Sequence, residues 1–219
     1  MNSQRERLIY VSLAEVSLIV TMLFSMQPMH ELSYPWQEMV SRSVFATICV
    51  LGVIAGVAPN WCFFDTRSER RTGGRVAGHH PDCGHFDGHI IHIGSRLFCA
   101  GCSGLVIGAI LAFLGLLSGF YPLEAKVGLW IGGFLVGLGL AQHYIDFGSS
   151  WIHLLLNVFL VFGAWIMFEA IQLMSLSLLV SIYFLAVIVF WIYARIRISQ
   201  CTHVGVCKEC HDDCSIRFE

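Results

Sequence analysis

Six stretches of this chain are long and apolar enough to cross about 30 Å of hydrocarbon, and no other feature limits the fold so severely. They cover residues 8–26, 44–64, 103–120, 127–144, 151–174 and 176–194. Inside lipid, peptide groups have no water to bond, so each stretch must close its own hydrogen bonds as a helix. The predicted fold is an all-α membrane bundle of about six transmembrane helices. The last two stretches are separated only by Ser175, which predicts a tight helical hairpin. The first follows a basic stretch, as a signal peptide would. Ser25-Met26-Gln27-Pro28 carries no small-x-small cleavage pattern, so it reads as a retained span.

Composition agrees, since charged residues are 13% of the chain and hydrophobic residues 56%, whereas a soluble domain carries about 25% charged residues. With the N-terminus inside, eleven of the thirteen basic residues fall on the inner side: Arg5, Arg7, Arg67, Arg70, Arg71, Arg75, Arg96, Arg195, Arg197, Lys208 and Arg217. Only Arg42 and Lys126 fall outside. That asymmetry predicts a multi-pass protein of the cell membrane with both termini cytoplasmic. Topology therefore places the basic residues, and the net charge of −2 points to no nucleic-acid partner.

Four parts follow. Residues 1–64 form a transmembrane hairpin, whose outer loop carries Glu31, Tyr34, Trp36 and Glu38. Residues 65–102 form a polar inner loop, 103–194 a four-helix bundle, and 195–219 a polar Cys-rich tail. Both Cys-rich segments then face reducing cytoplasm, where thiols serve as metal ligands more readily than as disulfides. Of the nine cysteines, Cys49 and Cys62 sit in the second span as small packing residues.

The inner loop reads His80-x2-Cys83-x15-Cys99-x2-Cys102, the zinc-ribbon spacing with histidine first. Two residues between ligands let a tight knuckle aim both side chains at one ion, and two knuckles complete a tetrahedron. His79 competes with His80 for the first position, and Asp82 is placed to orient an imidazole. Residues 89–93 and 96–99 read as strands around Gly94-Ser95, a hairpin that would bring the knuckles together. Four protein ligands leave no open position, which predicts a structural zinc.

His85, His89 and His92 remain as additional or supporting ligands, although nearby glycines and Ile90-Ile91 argue against a helix that would align them. The tail reads Cys201-x5-Cys207-x2-Cys210-x3-Cys214 with His203 and His211 interspersed, and predicts a second metal. An iron–sulfur centre is the alternative cofactor, since four thiolates suit it as well as zinc. Cys207-Lys208-Glu209-Cys210-His211 also spells the haem-attachment pattern, on the wrong side for it. Cys99/Cys102 and Cys207/Cys210 sharing one ion is a further arrangement the spacing leaves open.

Polar residues inside the spans are candidates by default. Glu15 lies mid-helix, while Gln142, His143, Asp146, His153 and Asn157 surround the inner turn between the fourth and fifth spans. They predict either interhelical hydrogen bonds or a polar route. Glu169 is expected to reach the headgroups. The pairs Gly104/Gly108, Gly115/Gly119 and Gly133/Gly137 have GxxxG spacing and predict close helix packing within the chain.

Cys83-Gly84-His85, then Cys99-Ala100-Gly101-Cys102-Ser103-Gly104 with Gly108 following, resembles an uncharacterised family of small polytopic prokaryotic membrane proteins. Its pattern, Cys-Ala-x-Cys-Ser/Thr-Gly, enters a glycine-containing membrane helix; Gly101 stands where that family has arginine. Gln142 and Asn157 are a weaker echo. The resemblance implies a similar helical fold and a metal knuckle, but no reaction. No nucleophile–base pair, phosphate loop or nucleotide motif is present, so an enzyme is not expected. The sequence points to a membrane metalloprotein whose zinc-bound cap packs the bundle or docks subunits of a membrane complex. A redox subunit and a metal transporter or sensor are the alternatives.

Overall fold

The computed structural model describes residues 3–26, 35–58, 69–70, 76–77, 84–119, 121–144, 147–175, 177–209 and 216–217. Among them are six α-helices: α1 Ser3–Ser25, α2 Pro35–Val57, α3 Ala100–Ser118, α4 Ala125–Ala141, α5 Ser150–Met174 and α6 Leu178–Glu209. Each apolar run is thus helical through most of its described residues. Five are long and apolar enough to cross a membrane; α4, at 17 residues, is the short one.

Two boundaries differ from expectation. Helix α2 starts at Pro35, so Trp36 and Glu38 belong to a helix rather than an outer loop. Proline suits the first helical position, where its missing N–H is not needed. Helix α6 continues through Arg195 to Glu209, so the first part of the expected polar tail is helical. Loss of hydropathy there marks a change of surroundings, not the end of the helix.

Helices consecutive in sequence run in opposite directions, whereas α3 and α5 pack side by side in the same direction. Glu6 near the start of α1 bonds Arg197 late in α6, while Phe24 at the other end of α1 meets Tyr183 early in α6. The α5–α6 hairpin turns at Ser175, whose extended backbone ends α5 and whose hydroxyl accepts from Ser177 N–H at 3.3 Å. Helix α5 is the most enclosed of the five long helices and α2 the least. The core lies around α5, with Leu129, Val136, Met167, Phe168, Phe184 and Trp191 buried together.

Gly104, Gly108 and Gly115 act inside the chain, as expected, whereas a Cβ on Gly119 would meet nothing within 4 Å among the described residues and one on Gly137 only Leu18 at 3.7 Å. A Cβ on Gly104 would strike the Leu154 carbonyl of α5, and one on Gly132, beside the Gly133/Gly137 pair, would lie 2.7 Å from the Gly163 carbonyl. Backbones approach closely only because these side chains are absent. Hydroxyls in α1 bond their own helix, Thr21 to the Ser17 carbonyl and Ser25 to the Thr21 carbonyl, so they stay satisfied among apolar neighbours.

Between α2 and α3 the chain builds a small sheet. Strands β3 (Ile90–Ile93) and β4 (Arg96–Cys99) form the expected hairpin around Gly94, whose φ of 60° suits glycine. A strand not expected from the sequence, β2 (Val76–Ala77), pairs parallel to β4. Separately, β1 (Glu69–Arg70) pairs antiparallel with β5 (Ile216–Arg217), so the inner loop and the tail are joined. Phe86, Ile90 and Leu97 pack against Val206 of α6, and Phe86 meets His203 edge-on at 5.1 Å. The hairpin and the end of α6 form one cap at the end of the bundle where α1, α3 and α5 begin.

Candidate functional site

Two features converge beneath this cap. The first is the corner where β4 becomes α3. Cys99 is the N-cap of α3, and its Sγ accepts from Cys102 N–H at 3.4 Å. Four N-terminal N–H groups of any helix lack internal partners, and here a sulfur takes one of them. Cys99 and Cys102 are both buried and neither forms a disulfide. Burial pushes the Cys99 thiol well up, and the adjacent Cys102 side chain adds to this, while the Cys102 N–H and the Arg195 cation oppose it. Left alone, Cys99 is a neutral thiol; a bound cation would supply the charge that favours thiolate.

Strand register brings the flanks of the first predicted knuckle to the same corner. Ala77 lies opposite Phe98, one residue before Cys99, and Ile90 lies opposite Cys99 itself. His79, His80, Asp82 and Cys83 lie outside the described residues, as do Cys210, His211 and Cys214. Among the described residues, no group of three or more His, Cys, Asp or Glu is placed to hold a metal ion. Of the tail thiols, Cys201 and Cys207 are buried on α6. Six residues apart on a helix, they stand about 9 Å apart along the axis and about 120° around it. Cys201 lies beside Glu6, whereas Cys207 packs on Val204.

The second feature is a buried polar network. Asn157 Nδ2 donates to Gln142 Oε1 at 3.1 Å and to the His153 carbonyl at 2.5 Å. Gln142 Nε2 donates to the Gly139 carbonyl at 2.6 Å, and His153 Nδ1 lies 3.5 Å from Gln142 Oε1. Arg195 Nε donates to Asn157 Oδ1 at 2.5 Å. Gln142, His153, Asn157 and Arg195 are all at least nine-tenths buried. The Arg195 guanidinium crosses Gly101, where a Cβ would lie 2.6 Å from it. The network thereby reaches the Cys99–Cys102 corner.

The expected grouping around the inner turn holds for Gln142, His153 and Asn157. His143, in the turn beyond α4, has a buried Nε2 without a hydrogen-bond partner among the described residues. Burial, with the Arg195 cation next, pushes its imidazole down to about 3, so it is neutral at ordinary pH. Asp146 lies outside the described residues. Glu15 is not in the network; it accepts from the Tyr144 hydroxyl at 3.1 Å on the exposed flank. His89 ends a short 3-10 helix (Gly84–His89) and stacks on His153, ring centres 4.3 Å apart. His92 is exposed on β3. His85 lies in the same 3-10 helix as His89.

At the opposite end of the bundle the expectation for Glu169 is corrected. It does not reach outward but is buried at 4% exposure, gripped by Arg42 at 3.1 and 2.8 Å. Arg42 also bonds Glu38 at 2.9 Å.

Sequence reasoning missed Arg195. It counted the residue only as one of many inner cations, and its one signal was its place directly after an unbroken apolar run. No protein-family model, curated protein or solved structure matches this chain.

Proposed function

We propose that this chain is a multi-pass cell-membrane metalloprotein whose cytoplasmic cap is locked by structural zinc. In this reading His80 and Cys83 join Cys99 and Cys102 around one ion, with Cys207, Cys210 and Cys214 as candidates for a second, and Cys201 set apart from them. The observation that carries the reading is the Cys99–Cys102 corner. Two buried thiols flank a helix start, one already accepting the other's N–H, and both neighbouring strands lead to that point. A closed tetrahedral ion there would contribute folding energy and no open coordination position. The cap would then hold the inner loop and the tail as one rigid surface for packing or for docking another membrane subunit, with the bulk of the chain in the bilayer.

The test is elemental analysis and absorption spectroscopy of purified protein. One or two zinc equivalents in a colourless protein are expected, and Cys99→Ser with Cys102→Ser should remove at least one equivalent and lower the unfolding midpoint. Visible absorbance bleached by dithionite would overturn zinc in favour of iron–sulfur. Unchanged metal content in the double variant would overturn the corner as a ligand site. Cysteine accessibility labelling in intact cells tests the side: external labelling of either cluster would reverse the topology.

A further inference from the structure

A cavity of about 150 Å³ lies between α2, α3, α5 and α6, and its chemistry is lopsided. Apolar side chains line most of it, Trp191 and Ile188 among them, while its polar side chains, Arg195, Ser199 and Gln200, lie on the cap half of α6. Among the described residues no acidic side chain lines it. Arg195 is more than nine-tenths buried, yet only its Nε has a hydrogen-bond partner among the described residues. The terminal guanidinium nitrogens, two pairs of donors, have no hydrogen-bond partner among the described residues; Nη2 lies beside Gly101, and Arg195 lines the cavity. A buried cation without an anion is costly, and Arg presents a planar fork suited to carboxylate or phosphate. The first turn of α3 reaches the same wall at Cys102, adding the positive end of a helix dipole. From Arg195 the lining continues about 10 Å toward the middle of the bundle, to Ile188.

We propose that this cavity binds an anionic amphiphile, its carboxylate or phosphate head on the Arg195 guanidinium and its hydrocarbon chain along the apolar wall. The site needs no metal, although Cys102 of the proposed zinc corner lines the same cavity. An apolar wall alone would accept any lipid chain; the unneutralised fork at one end selects the charged head.

The test uses the full-length protein in phosphatidylcholine nanodiscs, titrated with cis-parinaric acid and read by energy transfer from tryptophan, with empty nanodiscs subtracted. One saturable site per chain is expected, with the methyl ester of the same acid at least tenfold weaker. Equal binding of acid and ester would overturn the proposal, and this comparison needs no variant. Gly52→Leu fills the cavity from α2, where a Cβ meets only the Ala109 methyl at 3.8 Å. It should weaken the acid at least tenfold with an unchanged unfolding midpoint; unchanged affinity would refute the location. Arg195→Gln should lose the preference for acid over ester, and Arg195→Lys should keep part of it. Displacement by laurate, or by phosphatidylglycerol in the disc, supports the site and identifies the source of the head. Displacement by inorganic phosphate as effective as by laurate would mean a simple anion site and overturn the amphiphile.

Discussion

Each end of this bundle buries a charge, and the two ends treat it oppositely. At one end Glu169, 5% exposed in its side chain, sits in the fork of Arg42, which Glu38 also grips. The charge is answered within the chain. At the cap end Arg195 is as deeply buried but is held by one amide oxygen, with thiols and a cavity for other company. A buried ion pair is roughly neutral for stability, whereas half of one is costly. The first end is therefore a clasp between α2 and α5. The second has an unfilled requirement for negative charge, which is the physical mark of a place meant to receive something.

That contrast yields four expectations in falling order of size. Arg42→Ala should strand the Glu169 carboxylate and destabilise the protein by about 3 kcal/mol, measured as unfolding free energy in mixed micelles. Changing both Arg42 and Glu169 to Met should recover most of it, and no recovery would break the view of a simple clasp. Next, Gly104→Ala should cost about 2 kcal/mol by pushing α3 off Leu154 and Asn157, and should loosen the Arg195 network. Gly137→Ala, which meets only Leu18 at 3.7 Å, serves as the mild control.

The third concerns His143. Its folded-state pKa of about 3 lies below the ordinary 6.5. Below pH 6.5 the unfolded chain gains a proton that the folded one refuses, so stability should fall as pH drops toward 3, by about 2 kcal/mol between pH 7 and 5. His143→Gln should flatten that slope; an unchanged slope would assign it to other groups. Smallest of all, Arg195→Met in chelator-treated, delipidated protein should change stability by less than about 1 kcal/mol. A loss as large as that of Arg42→Ala would erase the contrast between the ends.

Much of this architecture was legible because the signals were local. Apolar runs marked every helix, and Gly94-Ser95 between two strand-prone runs marked the hairpin. The errors came from partners distant in sequence. Arg42 looked like an outer-loop charge because Glu169, its neutralising partner, lies 127 positions away. Arg195 looked like a topology marker because its contacts to Asn157 and the Cys99–Cys102 corner cross three helices. The end of α6 was misjudged because hydropathy reports where lipid stops, and a helix has no reason to stop there. The knuckle spacing was legible in Cys99 and Cys102, whose corner is formed, while four of its proposed companions fall outside the described residues.

Helix α6 has one more implication. Its 32 residues measure about 48 Å, against about 30 Å of hydrocarbon. More than a third of it therefore stands clear of the oil as a stiff mast, with His203 and Cys207 fixed near its tip. Any roll or tilt forced on the embedded part, by membrane thickness or a neighbouring subunit, would be carried undamped to that tip and would swing the hairpin leaning on it.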